Sequence, residues 1–359
     1  MSKETDDLLD KLYAFDKTLV PSNCIVSSPP VATDSPGLNY ILNGGVRQGG
    51  MYIVTGPEGC GKSFLTMSWV ANLLRQNPEN VVIWFDVEKS FNPHFANILF
   101  TPEEYKRCVV KRVDFGSEIF DYFENTLLGN IEKGMKIAAC VVDSVQAIIP
   151  PKEANSKSVE DHTMGDLSSM LPKALRKILT GSRPRLRDNF LGVAWFFISQ
   201  VRLNLDPTAV YTGEKYKITG GTSFLHSVDV ILELDQIKSK KAKLFDESQS
   251  NMNDTAVQIG NRVRAKVKKN RYGPPFRVSE FDLSYDYGIV NQHQEIFTLG
   301  HNLGIVKKEG NTYSFNDQKI AVGEANAAEA IKSSKDLYQQ IEKEIIKEST
   351  NEFSKPITE

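Results

Sequence analysis

The residues best placed to do chemistry stand at 56–63, where the chain reads Gly56, Pro57, Glu58, Gly59, Cys60, Gly61, Lys62, Ser63. This is a full match to G-x-x-x-x-G-K-[ST]. It follows the apolar run Met51–Thr55 and precedes the apolar segment FLTMSWVANLL. That context predicts a strand, a tight glycine loop and a helix start, so that backbone N–H groups converge on phosphate oxygens. Lys62 would reach the β- and γ-phosphates of a nucleotide, and the Ser63 hydroxyl would ligate Mg²⁺.

A phosphate loop of this kind needs a second acidic group on the metal side. The run IAACVVDS ends in Asp143, which can hold Mg²⁺ through water, with Ser144 beside it to bond nearby groups. Hydrolysis also needs a group that polarises the attacking water. In WFDVEKS, Glu88 lies just past a buried strand, at the edge where such sheets bind ligands, and is the candidate general base. Asp86 shares that strand end but should face the other way, because strand side chains alternate and the step to Glu88 crosses the turn.

The elements that must position these groups are legible as three zones. Residues 1–32 carry an amphipathic helix, with Leu8, Leu9, Leu12 and Phe15 set against Asp6, Asp7, Asp10 and Lys11, then a Pro/Ser-rich linker. Such a helix must dock on its own core or on a neighbouring subunit. Residues 33–285 alternate helices with continuous apolar runs at Met51, Val81, Cys108, Ile137, Val193 and Val228, the pattern of a mainly parallel sheet covered on both faces. RAKVKKNR and FRVSEFDL alternate and should add antiparallel strands, while the polar stretch Lys238–Thr255 ahead of them reads as a protruding hairpin tip or loop. Residues 286–359 read as a small C-terminal domain and tail.

Composition sets outer limits. The 359 residues are 40% hydrophobic and 25% charged, ordinary for a globular chain. A formal net charge of −2 gives no global basic field, so any nucleic-acid contact must come from local loops. Cys24, Cys60, Cys108 and Cys140 have neither paired nor metal-ligand spacing and read as reduced thiols; the five histidines form no zinc motif. No apolar stretch is long enough to span a membrane, and the polar start MSKETDD is no signal peptide, so a cytoplasmic protein is expected.

Together these residues resemble the RecA-type recombinases of bacteria and bacteriophages over nearly the whole chain. The resemblance runs in order through LNYILNGGVRQGGMYIVTGPEGCGKS, WFDVEKSFNPHFA, VVDSVQAIIP, FISQVRLNL, ITGGTSFLHS, AKVKKNRYGPPF and QKIAVGEANAAEAIKSS. It implies an α/β RecA-type ATPase core with a mostly parallel twisted sheet, an N-terminal oligomerisation helix and a small α+β C-terminal domain. It further implies an ATP- and Mg²⁺-dependent DNA recombinase that forms helical filaments on single-stranded DNA and exchanges strands with a homologous duplex. Loading or single-strand-binding proteins would be further partners.

On that resemblance Glu88 activates water, Asn92 and Phe95 lie against the adenine, and Gln200 senses the γ-phosphate. Lys269 and Arg271 reach the γ-phosphate of the next subunit, and the N-terminal helix packs on that subunit. Two stretches without strong secondary-structure signal, Lys152–Asp166 and Arg202–Gly221, become DNA-facing loops. There Arg176, Arg202 and Lys215 would contact phosphates and Leu205 would wedge between bases, with Met164, Gly165, Gly220 and Gly221 in the same loops. Ser169 stands where the family pattern expects an arginine. Arg183, Arg185 and Arg187 could replace it, although a solvated loop is the simpler reading. Two other functions share the same motifs: a hexameric RecA-fold DNA motor, and a recombination mediator without strand-exchange activity.

Overall fold

Along the central strands, successive side chains face opposite sides of one sheet, and both sides are buried. Tyr52, Val54, Val82, Trp84, Val141, Phe196 and Ile198 belong to one apolar cluster. Their alternate neighbours Met51, Ile53, Ile83, Phe85, Cys140, Val142, Trp195 and Phe197 belong to a second. Strands with no polar face must be covered twice, and this is why the sequence alternates strands with helices.

A computed structural model of the chain describes residues 28–150, 166–184, 190–204, 216–239, 242–245 and 257–351, together with 11, 12 and 15. A short ladder pairs β1 (Pro30–Val31) with β2 (Val46–Arg47). The main sheet then uses β3 (Met51–Gly56), β4 (Val81–Asp86), β5 (Cys108–Arg112), β6 (Ile137–Asp143), β7 (Ala194–Leu203), β8 (Tyr216–Ile218), β9 (Val230–Gln236), β10 (Lys243–Phe245), β11 (Gln258–Asn270), β12 (Val278–Ser284) and β13 (Gly288–Val290). Their order is β13-β12-β11-β9-β3-β7-β6-β4-β5, with β8 on β7 and β10 on β11. From β9 to β5 every pairing is parallel; β11 and β12 add antiparallel strands, as the alternating runs predicted, and β13 adds a third.

Helix Lys62–Gln76 covers the first face with Phe64, Trp69 and Leu73, and helix Asp166–Ser182 covers the second with Leu171, Leu175 and Ile178. Among the described residues, no helix is long and apolar enough to cross a membrane. Two sequence expectations change in detail. The segment that begins at Arg202 is strand at both ends, because β7 continues to Leu203 and β8 returns antiparallel to it. The core sheet also continues to Val290, five residues beyond the expected boundary, because β13 closes on β12. The N-terminal helix lies mostly outside the described residues; its Leu12 and Phe15 are exposed.

The C-terminal region packs helices Gln292–Asn302, Glu324–Ser333 and Lys335–Asn351 with a small sheet of β14 (Lys307–Glu309), β15 (Thr312–Phe315) and β16 (Gln318–Val322). Buried Glu295, in the first turn of the first of these helices, accepts from the Ser35 hydroxyl and, at 3.1 Å, from the Gly37 N–H. It therefore joins the C-terminal region to the start of helix Pro36–Ile41. Burial pushes its carboxyl up to about 8, against those two donors; Asp282 pushes the same way and Arg262 opposes. An acid raised on folding keeps its proton in the native state while the unfolded chain loses it near the ordinary glutamate value. Stability should fall with rising pH between about 4.5 and 8, by on the order of 1 kcal/mol per pH unit. Glu295→Gln should flatten that slope in urea titrations at several pH values. An unchanged slope would assign the pH dependence elsewhere.

Candidate nucleotide-binding site

The carboxyl ends of β3, β4 and β6 and the outer part of β7 lie on one edge of the sheet. Register places Gly56 beside Gln200 and Asp86 beside Asp143. The loop after β3 has the conformation its glycines allow. Gly61 has φ +87°, and a Cβ there would come within 2.4 Å of Leu283. Gly56 is closer still to backbone, since its Cβ would sit 2.2 Å from the Leu234 carbonyl oxygen. A side chain at Gly56 would have to displace the backbone of β9, and one at Gly61 would crowd the Leu283 side chain of β12.

A cavity of about 450 Å³ opens at this edge. Glu58, Gly59, Gly61, Lys62 and Ser63 form its floor, and Glu88, Asp143, Ser144, Gln146 and Gln200 form one wall. Lys62 is buried, and its Nζ donates to the carbonyls of Gly56 at 3.0 Å and Pro57 at 2.7 Å. Burial pushes the Asp143 carboxyl up to about 6; the Ser63 hydroxyl and the Lys62 charge oppose this, while Glu88 and Asp86 add to it. A cation beside Asp143 would relieve that penalty. Among the described residues no cluster of three or more His, Cys, Asp or Glu could hold a metal. Ser63 and Asp143 thus offer two hard oxygen groups and leave the other positions to nucleotide oxygens and water, the coordination Mg²⁺ prefers.

Glu88 is fixed at both backbone and side chain. The Asp143 carbonyl accepts from the N–H groups of Val87 at 2.9 Å and Glu88 at 3.2 Å. The Glu88 Oε1 accepts from the Ser144 hydroxyl and, at 3.3 Å, from Gln146 Nε2. Asp86 turns away as expected, and its buried carboxylate accepts from the N–H groups of Ser90 and Phe91, closing the loop that presents Glu88.

The opposite wall brings together Phe95, edge-on to Phe64 at 5.1 Å, with Asn261, Leu283, Ser284 and Tyr285. Asn261 donates to the Tyr285 hydroxyl, and Gln258 donates to Asn261 Oδ1 at 2.6 Å. Asn261, Leu283, Ser284 and Tyr285 were missed in the sequence because they come from β11, β12 and the residue after it, 198 residues or more past Ser63. The visible signal was a tyrosine just past an apolar strand. Asn92 does not line the cavity: it caps helix Pro93–Leu99, its Oδ1 accepting from the His94 N–H at 2.9 Å. Asn followed by Pro is a helix start, and this local task occupies the side chain.

Lys269 and Arg271 do not line this cavity either. Lys269 Nζ donates to the carbonyls of Leu225 at 3.0 Å and His226 at 2.7 Å. Arg271 donates to the His226 carbonyl at 2.9 Å and to Asp229 Oδ1 at 3.2 Å. Both cations thus hold the C-terminal end of helix Thr222–Ser227, where the helix dipole favours positive charge. Arg183 lies neither in solvent nor in a free loop. It forms a two-armed pair with the same buried Asp229, at 2.7 and 2.9 Å. Arg176 and Arg202 are exposed, and Gly221 packs on Ser168 at the start of helix Asp166–Ser182. Met164, Gly165, Leu205, Lys215, Arg185 and Arg187 lie outside the described residues.

Comparison with known proteins agrees with this geometry. Residues 22–290 match the RecA N-terminal domain family, and residues 294–350 match the RecA C-terminal domain family. The chain is 31% identical over 316 residues to Protein RecA of a Nitratiruptor species, covering 88% of this chain and 83% of that protein. It is 30% identical over 343 residues to Protein RecA of Cytophaga hutchinsonii, covering 95% and 88%. Both domain families are matched in order, on a fold whose sheet edge gathers the nucleotide-site residues; the chain belongs to the RecA family, the DNA-dependent ATPases of homologous recombination.

Proposed function

We propose that the chain binds ATP with Mg²⁺ in the cavity above the phosphate loop, assembles as a helical filament on single-stranded DNA, and exchanges that strand into a homologous duplex. The observation that carries this reading is the convergence of Lys62, Ser63, Asp143, Glu88 and Gln200 on one cavity. The phosphate-loop N–H groups and Lys62 neutralise the phosphate tail. Ser63 and Asp143 would hold Mg²⁺, which supplies charge stabilisation to the transferring phosphoryl group. Glu88 takes the proton of a water attacking in line, and Gln200 meets the γ-phosphate. Phe95 and Tyr285 receive the base on the far wall.

Lys269 and Arg271 serve the neighbouring subunit's nucleotide, which makes turnover depend on assembly. Arg176 and Arg202 bind DNA phosphates, with Met164, Gly165, Leu205, Lys215, Gly220 and Gly221 completing the DNA surface. Contacts of this kind give affinity without sequence preference and a steep loss of binding with salt. Loading and single-strand-binding proteins are the further partners of such a filament, and the cytoplasm is where it acts.

The test is strand exchange between labelled homologous duplex and single-stranded DNA, with a slowly hydrolysed ATP analogue and a heterologous duplex as control. Exchange with the homologous partner alone is expected, because ATP-bound assembly suffices. Unwinding that ignores homology and requires ATP turnover would replace this reading with a DNA motor. DNA binding without either activity would leave a mediator.

A further inference from the structure

Strand β6 lies between β4 and β7 in the sheet, so the turn that leaves it can touch what both neighbours present. Val145–Ala147 form that turn, a single 3₁₀ turn, and Gln146 is its middle residue. The Gln146 amide oxygen accepts from the Gln200 N–H at 3.0 Å. Its amide nitrogen donates to Glu88 Oε1 at 3.3 Å. One half-buried side chain thus spans from the strand that carries Gln200 to the carboxylate proposed to activate water, and it lines the same cavity as both.

We infer that Gln146 is a positioning residue for hydrolysis, holding the Glu88 carboxylate in its working orientation and tying it to the strand that carries Gln200. This rests on the reading of Glu88 as the base. Both donors to Glu88, the Ser144 hydroxyl and the Gln146 amide, fall on Oε1, which leaves the other oxygen to meet a water. A carboxylate held by two donors has one orientation, where a free glutamate would sample several rotamers. The amide suits the task because it offers an acceptor to one strand and a donor to the other without adding charge. A displacement of the Gln200 backbone would reach the Glu88 carboxylate through this bridge.

The experiment compares ATP turnover on single-stranded DNA for the wild type, Gln146→Met, Gln146→Glu, Glu88→Gln and the Gln146→Met/Glu88→Gln double variant. Methionine keeps the side-chain length without either hydrogen bond; glutamate keeps the acceptor for Gln200 but sets a second carboxylate against Glu88. Both single changes at 146 should lower kcat by about 10- to 100-fold, the cost of a misplaced catalytic group, with KM for ATP and thermal midpoint nearly unchanged. In the double variant the methionine should cost nothing further, because its effect acts through Glu88. Wild-type turnover in Gln146→Met, with Glu88→Gln inactive, would overturn the inference and leave the base assignment standing. So would losses at the two positions that simply multiply. An active Glu88→Gln would instead remove the base assignment, and the role of Gln146 with it. Should Gln146→Met not fold, Gln146→Glu with its own double variant carries the same comparison.

Discussion

Lys62→Ala should lower kcat/KM for ATP by at least about 10²- to 10³-fold, the loss seen when one preorganised donor to developing negative charge is removed. Lys62 is the one ammonium on the cavity floor among the described lining residues, and it is buried there with its head against the carbonyls of Gly56 and Pro57. Those carbonyls aim the nitrogen, so the cation is in place before any phosphate arrives. Alanine removes the charge and leaves two carbonyls without a donor. The folding cost should be about 1–3 kcal/mol, the range for a buried acceptor that loses its donor. Lys62→Arg should not restore activity: its planar fork has a different shape from a compact ammonium that must fit between two carbonyls and a phosphate. Steady-state turnover with and without DNA, beside a thermal melt, separates the catalytic loss from unfolding. Turnover within about fivefold of wild type in the alanine variant would mean that the loop N–H groups bind the phosphates unaided.

The largest effect on stability should come from Asp229→Ala, about 3–5 kcal/mol, the range for breaking a buried ion pair from one side. Asp229 has only 3% of its side chain exposed. It accepts both arms of Arg183, one arm of Arg271, the Tyr272 hydroxyl at 3.1 Å and the Met51 N–H at 2.8 Å. Arg271 is half exposed and contributes little to this loss. The cost comes from Arg183, from the hydroxyl and from the backbone N–H at the start of β3, all of which lose an acceptor together. Asp229→Asn should lose less, since a carbonyl oxygen remains for the Met51 N–H. Urea unfolding of both variants measures the difference. A loss below about 1 kcal/mol in the alanine variant would show that water replaces the carboxylate at little cost.

What the sequence disclosed followed from whether a signal was local. The phosphate loop is contiguous, and its glycine spacing and flanks are themselves the structure, so Gly56 to Ser63 could be placed in advance. The parallel sheet was equally open, because strands buried on both faces must be apolar throughout. Glu88 and Asp143 followed from their positions at strand ends. Gln146 and Asp229 did not, because their tasks depend on partners 54 and 178 residues away. Arg183 looked like one of three basic residues in a polar stretch, and only the fold sets it against Asp229. Asn92 differs in the opposite way: its visible task is local, the capping of helix Pro93–Leu99, and it does not line the cavity.

Cys60 sits inside the phosphate loop with 1% of its surface exposed, its thiol held above the ordinary range by burial although Lys62 pulls the other way. Cys108 and Cys140 are likewise buried, and burial raises both. Alkylation requires an accessible thiolate, and these three offer neither access nor charge. A maleimide dye would therefore pass over these three and, once Cys24 is replaced, take a cysteine introduced on the surface. Subunits could carry a fluorophore beside Arg202 or on helix Asp166–Ser182 without first rebuilding the loop that holds the phosphates.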